Sequence, residues 1–211
     1  MTPPAAYAVL VPVKPPAVAK SRLGGLGDAS RRDLAAAFAG DAVSAVLACD
    51  RVARALVVTD DHELARAMSD LGADVLPDGA ADLNGALLQA AAEVHRRSPD
   101  LRLAAVCADL PALRPEELTK VLDASHPTEM SFVADEERVG TTVVAAPDMP
   151  RFRPSFGPGS RHQHLQAGAH EIEATDVPTV RRDVDNPAEL AEALALGVGP
   201  RTSLVATALR L

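Results

Sequence analysis

Apolar residues fall into two patterns that alternate along the chain. Tyr7-Ala8-Val9-Leu10-Val11-Pro12-Val13 is a short continuous apolar run ended by proline and lysine, as expected of a strand covered on both faces. A Pro/Gly-rich stretch through Gly24-Gly25-Leu26-Gly27 follows. Leu34, Phe38, Ala42, Ala45 and Val46 then recur at helical spacing, predicting a helix from a cap at Ser30 to about Cys49. Arg54–Thr59 reads as a second strand, with Asp60 or Asp61 capping a helix that Gly72 stops. Asp74–Pro77 is a short strand and Asp82 to about Arg97 a helix. Leu103–Cys107 is another buried strand, and a helix opens at Pro115.

Repeated strand–helix alternation predicts a three-layer α/β fold with a mainly parallel sheet. The second half is less regular. Met130–Ala134 and Gly140–Ala146 read as strands, and Met149–Pro158, with three prolines and one glycine, as loop. Ser160–Gly168 reads as a short helix, and Glu171–Ala174 and Thr179–Val184 as strands. Asn186-Pro187 opens a helix, and a last helix spans Arg201–Arg210. No linker or repeat divides residues 1–211, so one domain is expected.

Composition narrows the function. The formal charge is -8 and aromatics are 2% of the chain, a poor match for nucleic acid, which needs a clustered basic face or stacking platforms. No apolar run is long enough to span a membrane, and no basic segment precedes the first apolar run as in a secretory signal. The two cysteines, Cys49 and Cys107, cannot build a disulfide framework or a four-thiolate zinc site, so the cytoplasm is the expected compartment. Oligomeric state stays open.

The three lysines are Lys14, Lys20 and Lys120, and Met1–Gly27 holds no acidic residue. Lys14, Lys20 and Arg22 therefore form a cationic segment after the first strand, where open α/β sheets bind ligands. Such a segment suits a polyphosphate, lysine as a point charge and arginine as a fork. A solvated, proline-stiffened loop fits it equally well. It contains neither GxxxxGK[ST] nor GxGxxG. Asp109-Leu110-Pro111 follows a buried strand, where a carboxylate can hold a divalent ion or simply cap a turn. Asp183 and Asp185, two residues apart, could serve a divalent ion, and Asp185 or Asn186 also suits a helix cap. Gly140-Thr141-Thr142 and Phe156-Gly157-Pro158-Gly159-Ser160 offer hydroxyls and glycine amides for an anion, or hairpin and turn chemistry. Asn84-Gly85 suits either a base edge or a turn. His62, His95, His126 and His170 lack sequence partners and read as surface residues, while His162 and His164 are wrongly spaced for joint ligation from one helix face.

Val-Pro-Val-Lys-Pro-Pro-Ala-Val-Ala-Lys-Ser-Arg-Leu at 11–23, Ala-Asp-Leu-Pro-Ala-Leu at 108–113, Gly-Thr-Thr at 140–142, Phe-Gly-Pro-Gly-Ser at 156–160 and Asp-Val-Asp-Asn-Pro-Ala-Glu-Leu at 183–190 occur in that order. Together they resemble the guanylyltransferases of deazaflavin coenzyme biosynthesis, which join GMP from GTP to 2-phospho-L-lactate or phosphoenolpyruvate. The resemblance covers nearly the whole chain. It implies a single Rossmann-like nucleotidyltransferase domain and a magnesium-dependent reaction of GTP with a phosphorylated three-carbon acid. Carried residue by residue, it assigns Lys14, Lys20 and Arg22 to the GTP phosphates, with Lys20 and Asp109 catalytic. Asp109, Asp183 and Asp185 become metal ligands. Thr142, Gly157 and Ser160 hold the acid, and Asn84 and Gly85 lie near the guanine. Relatives often carry Gly where this chain has Ala108. The segment Gly197-Val198-Gly199-Pro200 looks similar to actinobacterial members, favouring phosphoenolpyruvate over 2-phospho-L-lactate.

The inventory suits that chemistry. An acceptor phosphate is already mostly ionised near neutral pH, so no general base is required and none is evident. Positioning and charge neutralisation remain, which lysines, arginine and magnesium supply. Rival readings are a nucleotidyltransferase for a sugar phosphate or a molybdopterin-type acceptor, and a non-catalytic nucleotide-binding regulator. The cramped Phe-Gly-Pro-Gly-Ser loop opposes the first, and three retained aspartates oppose the second.

Overall fold

The structure, a computed structural model, describes residues 6–13, 23, 25–80 and 82–211. Its sheet has the order β3-β2-β1-β4-β6-β5-β7. The strands are β1 (Tyr7–Pro12), β2 (Val52–Val58), β3 (Asp74–Leu76), β4 (Arg102–Val106), β5 (Ser131–Ala134), β6 (Thr141–Ala146) and β7 (His170–Glu171). β6 runs antiparallel to both its neighbours, β4 and β5, and the remaining pairings are parallel. The sheet is thus mixed but mainly parallel, as the apolar pattern predicts. β1 lies between β2 and β4, which explains its continuous apolar sequence. The chain winds outward from β1 to β3 and then returns to the other side of β1 at β4. That reversal puts the topological switch point, and so the expected ligand crevice, beyond the ends of β1 and β4.

The helices are α1 (Asp28–Leu47), α2 (His62–Asp70), α3 (Leu83–Arg97), α4 (Pro115–Ala124), α5 (Ser160–Gln166), α6 (Pro178–Arg181), α7 (Pro187–Leu196) and α8 (Pro200–Leu209). Two of the cores cover the two faces of the sheet. Val9, Val11, Val106 and Val143 face Val43, Leu64 and Leu118. Leu10, Leu103, Phe132 and Val144 face Leu87, Phe152 and Phe156. A third cluster joins Leu23, Leu34, Phe38, Val184 and Leu190. None of the described helices is long and apolar enough to cross a membrane.

Local signals explain most boundaries. Asp61 accepts hydrogen bonds from the amides of Glu63 and Leu64, and Asp82 accepts one from Gly85, fixing the starts of α2 and α3. Asn186 and Glu189 form a reciprocal capping box at α7. Some expectations fail. α1 starts at Asp28, after Gly27, so Ser30 lies inside it and is not its cap. The strand expected over Thr179–Val184 is absent. Pro178 begins a helical turn there, closed by the Arg182 amide donating to the Pro178 carbonyl at 3.1 Å. The strand expected at Glu171–Ala174 is β7, shifted to His170–Glu171, and the loop at Met149–Pro158 contains a single 3₁₀ turn, Met149–Arg151.

Candidate active site

Lys14, Lys20 and Arg22 lie outside the described residues. The flanking positions are fixed. The Val13 amide donates to the Val58 carbonyl at 2.9 Å, and Leu23 is fully buried in one cluster with Val184.

Asp109 comes just after β4. The Val184 amide donates to the Asp109 carbonyl at 3.0 Å, and Asp183 and Asp185 flank Val184. Three carboxylates, one of them far from the other two in sequence, thus spring from two backbone strips joined by one hydrogen bond. Oδ1 of Asp109 and Oδ1 of Asp183 are shut away from solvent. Asp185 is held through its backbone, whose amide donates to Glu189 Oε2 at 2.6 Å. Glu189 also receives the Asn186 amide, so the α7 capping box fixes the approach of Asp185. Asp183, expected within the strand Thr179–Val184, instead follows the helical turn Pro178–Arg181.

Sequence reasoning missed two neighbours of Asp183. Carboxylate oxygens of Asp135, Glu137 and Asp183 lie within 4.8 Å of one another. Arg182 offsets the charge of Glu137 at 2.8 Å. Asp135 accepts the amides of Val139 and Gly140 at 2.8 and 2.7 Å, and a Cβ at Gly140 would run into its carboxylate. The acidic turn before Gly140 carried the signal, but only the tertiary approach of Asp183 gives it meaning.

Thr142 adjoins this strip because the Cys107 amide donates to the Thr142 carbonyl at 2.9 Å. The β5–β6 register shifts here, with Val133 opposite Val143 but Ala134 opposite Thr141. Thr142 is therefore the extra residue of a β-bulge, a device that re-aims side chains beside functional sites. Its hydroxyl is buried and has no hydrogen-bond partner among the described residues.

The Asn84 side chain is bonded to the Phe156 backbone. Its Nδ2 donates to the Phe156 carbonyl at 3.0 Å and its Oδ1 accepts the Phe156 amide at 2.8 Å. The side chain acts as a strand-like partner that pins the Phe156–Ser160 loop to the start of α3. The Gly85 amide is occupied by Asp82 at 2.9 Å. In the loop, Gly157 (φ 132°) and Gly159 (φ 68°) take backbone conformations that favour glycine. Ser160 is buried at the first turn of α5. Its amide donates to the Gly157 carbonyl at 3.1 Å, and that of Arg161 to the Val139 carbonyl at 3.2 Å. These amides serve to fold the loop, and of the glycine amides expected for an anion that of Gly140 is taken by Asp135 at 2.7 Å.

His164 is fully buried behind this loop. Its Nε2 accepts the Ser155 amide at 3.0 Å, so the neutral ring carries its proton on Nδ1, facing Thr141 Oγ1 at 3.0 Å. Burial pushes its pKa down to about 4, against a smaller opposing effect of a Ser160 backbone hydrogen bond. His126 and His170, which lack sequence partners, partner each other at the opposite end of β5. Their rings stack at 4.2 Å between centroids and 4° between planes.

A family model described as Guanylyl transferase CofC like matches residues 7–210. A Streptomyces scabiei protein named phosphoenolpyruvate guanylyltransferase is 48% identical over 209 residues, covering 96% of this chain and 97% of the relative. A Thermomonospora curvata protein of the same name is 46% identical over 202 residues, covering 95% and 88%. The solved structure of a nucleotidyl transferase from Methanothermobacter thermautotroptrophicus shares the fold, with a TM-score of 0.61 at 17% identity, over 90% of this chain and 97% of that one.

Proposed function

We propose, since the chain belongs to the CofC-like guanylyl transferase family and is a guanylyltransferase, that it transfers GMP from GTP to phosphoenolpyruvate. An acceptor phosphate oxygen forms the new bond to the α-phosphorus of GTP, and pyrophosphate leaves. The product is an enolpyruvoyl diphosphoguanosine, a precursor for deazaflavin coenzyme biosynthesis. The reading takes residues 1–211 as one nucleotidyltransferase domain.

The observation that carries the reading is the bond from Val184 to Asp109, which supports a shared role for Asp109, Asp183 and Asp185. Their donor set is hard carboxylate oxygen, partly desolvated, the chemistry that suits magnesium beside phosphates. Bound there, magnesium would neutralise phosphate charge at the reacting centre. Lys14, Lys20 and Arg22 would grip the triphosphate, Lys20 supporting charge that develops on the leaving oxygens. Thr142, Gly157 and Ser160 would hold the phosphorylated acid. The buried Thr142 hydroxyl supports this, because a bound acid would give it the hydrogen-bond partner it lacks among the described residues. Asn84 and Gly85 act in this reading through the backbone they fasten, and need not touch guanine.

A product assay with each acid and each nucleoside triphosphate, read by mass spectrometry, tests the proposal. Phosphoenolpyruvate with GTP should give the diphosphate-linked product. Product with 2-phospho-L-lactate alone would reassign the acceptor, and product with a sugar phosphate would overturn the class of acceptor.

A further inference from the structure

The two halves of the proposed acid subsite come from different parts of the chain. Thr142 belongs to the bulge at the start of β6, while Gly157 and Ser160 belong to the loop leading into α5. His164 joins them. Its Nδ1 side meets Thr141, the residue before Thr142, and its Nε2 side receives the amide of Ser155, the residue before Phe156. The ring lies between Phe132 on β5 at 5.2 Å and Phe156 in the loop at 6.1 Å, measured between centroids. A buried imidazole with both nitrogens engaged and both sides packed has one orientation. It therefore transmits the position of the bulge to the loop.

We propose that His164 is a positioning residue for the acceptor, setting the distance between the Thr142 hydroxyl and the Gly157–Ser160 loop through its bonds to Thr141 and Ser155. The inference rests on the acceptor assignment above. No group on His164 touches substrate in this account. Small displacements of a positioned reactant cost large factors in rate, so a purely geometric role is measurable.

The test is steady-state kinetics on His164→Leu, His164→Asn and Thr141→Val, each checked by circular dichroism and thermal melting. The acid is the one wild type uses. His164→Leu should raise KM for that acid about tenfold or more and leave KM for GTP within about twofold. His164→Asn, which can still donate towards Thr141, should fall between wild type and His164→Leu. Thr141→Val should also raise the acid KM, and adding it to His164→Leu should cause little further change, because the pair acts as one link. If His164→Leu does not fold, the other two single variants carry the comparison. Folded variants with unchanged acid KM, or with KM for GTP rising equally, would overturn the assignment. Wild type making no product with any phosphorylated acid would defeat the functional reading itself, and this assignment with it.

Discussion

The Val184 amide donates to the Asp109 carbonyl at 3.0 Å, joining segments that are distant in sequence. Around that bond the molecule forms a continuous chain of contacts. Asp109 leads back along the segment after β4 to Cys107, whose amide holds Thr142, and Thr141 leads through His164 to the loop that Asn84 pins.

Asp109→Asn and Asp185→Asn keep shape and remove charge. Each should lower pyrophosphate release at least about a hundredfold, since positioned charge at the reacting centre contributes on that scale. Melting temperatures should stay near wild type. Normal turnover in a folded variant would remove that residue from the metal assignment.

Lys20→Met should lower kcat/KM for GTP roughly 10- to 100-fold, the worth of one charged hydrogen bond. The defect should shrink in the comparison with wild type as salt rises, because screening weakens the wild-type contact as well. An equal loss at all ionic strengths would point to a packing role.

Asn84→Ala separates two readings of one residue. Removing both bonds to Phe156 should cost about 1–3 kcal/mol locally and raise KM for the acid. KM for GTP, and the preference for GTP over ATP, should stay unchanged. A selective loss of GTP preference would restore the contact to guanine.

His164 makes stability depend on pH in a defined window. Its folded pKa is lowered to about 4 by burial, whereas the unfolded histidine takes up a proton near 6.5. Between those values the unfolded chain binds more protons, so folding stability is complete above about 6.5 and declines as pH falls towards 4. The decline from this group is about 3 kcal/mol at most. Denaturant melts of wild type and His164→Asn across pH 4–7 should diverge by a pH-dependent difference of that sign. Parallel curves would show that the ring is already protonated or exposed.

The first half of the fold was legible because its elements obey local rules. Tyr7–Pro12 and Leu103–Val106 are apolar throughout since both faces of the sheet are covered, and Asp61 and Asn186 cap the helices they precede. Thr179–Val184 misled because its β-branched residues resemble a strand. There the first-turn proline prevailed, and the Thr179 amide was drawn to the Glu117 carboxylate at 2.8 Å. The family resemblance implied a shared role for Asp109, Asp183 and Asp185, which their spacing alone could not suggest. Asp135 and His164 stayed hidden for one reason. A turn aspartate and a histidine on a short helix look ordinary until tertiary packing brings Asp183 to one and buries the other between Thr141 and Ser155.

The most direct measurement is mass spectrometry of the purified protein incubated with GTP, phosphoenolpyruvate and magnesium, with a parallel sample held in excess chelator. The account predicts one diphosphate-linked guanosine product with stoichiometric pyrophosphate, lost under chelation and lost in Asp109→Asn. Product that persists at full rate without a divalent ion, or no product with any phosphorylated three-carbon acid, would contradict it.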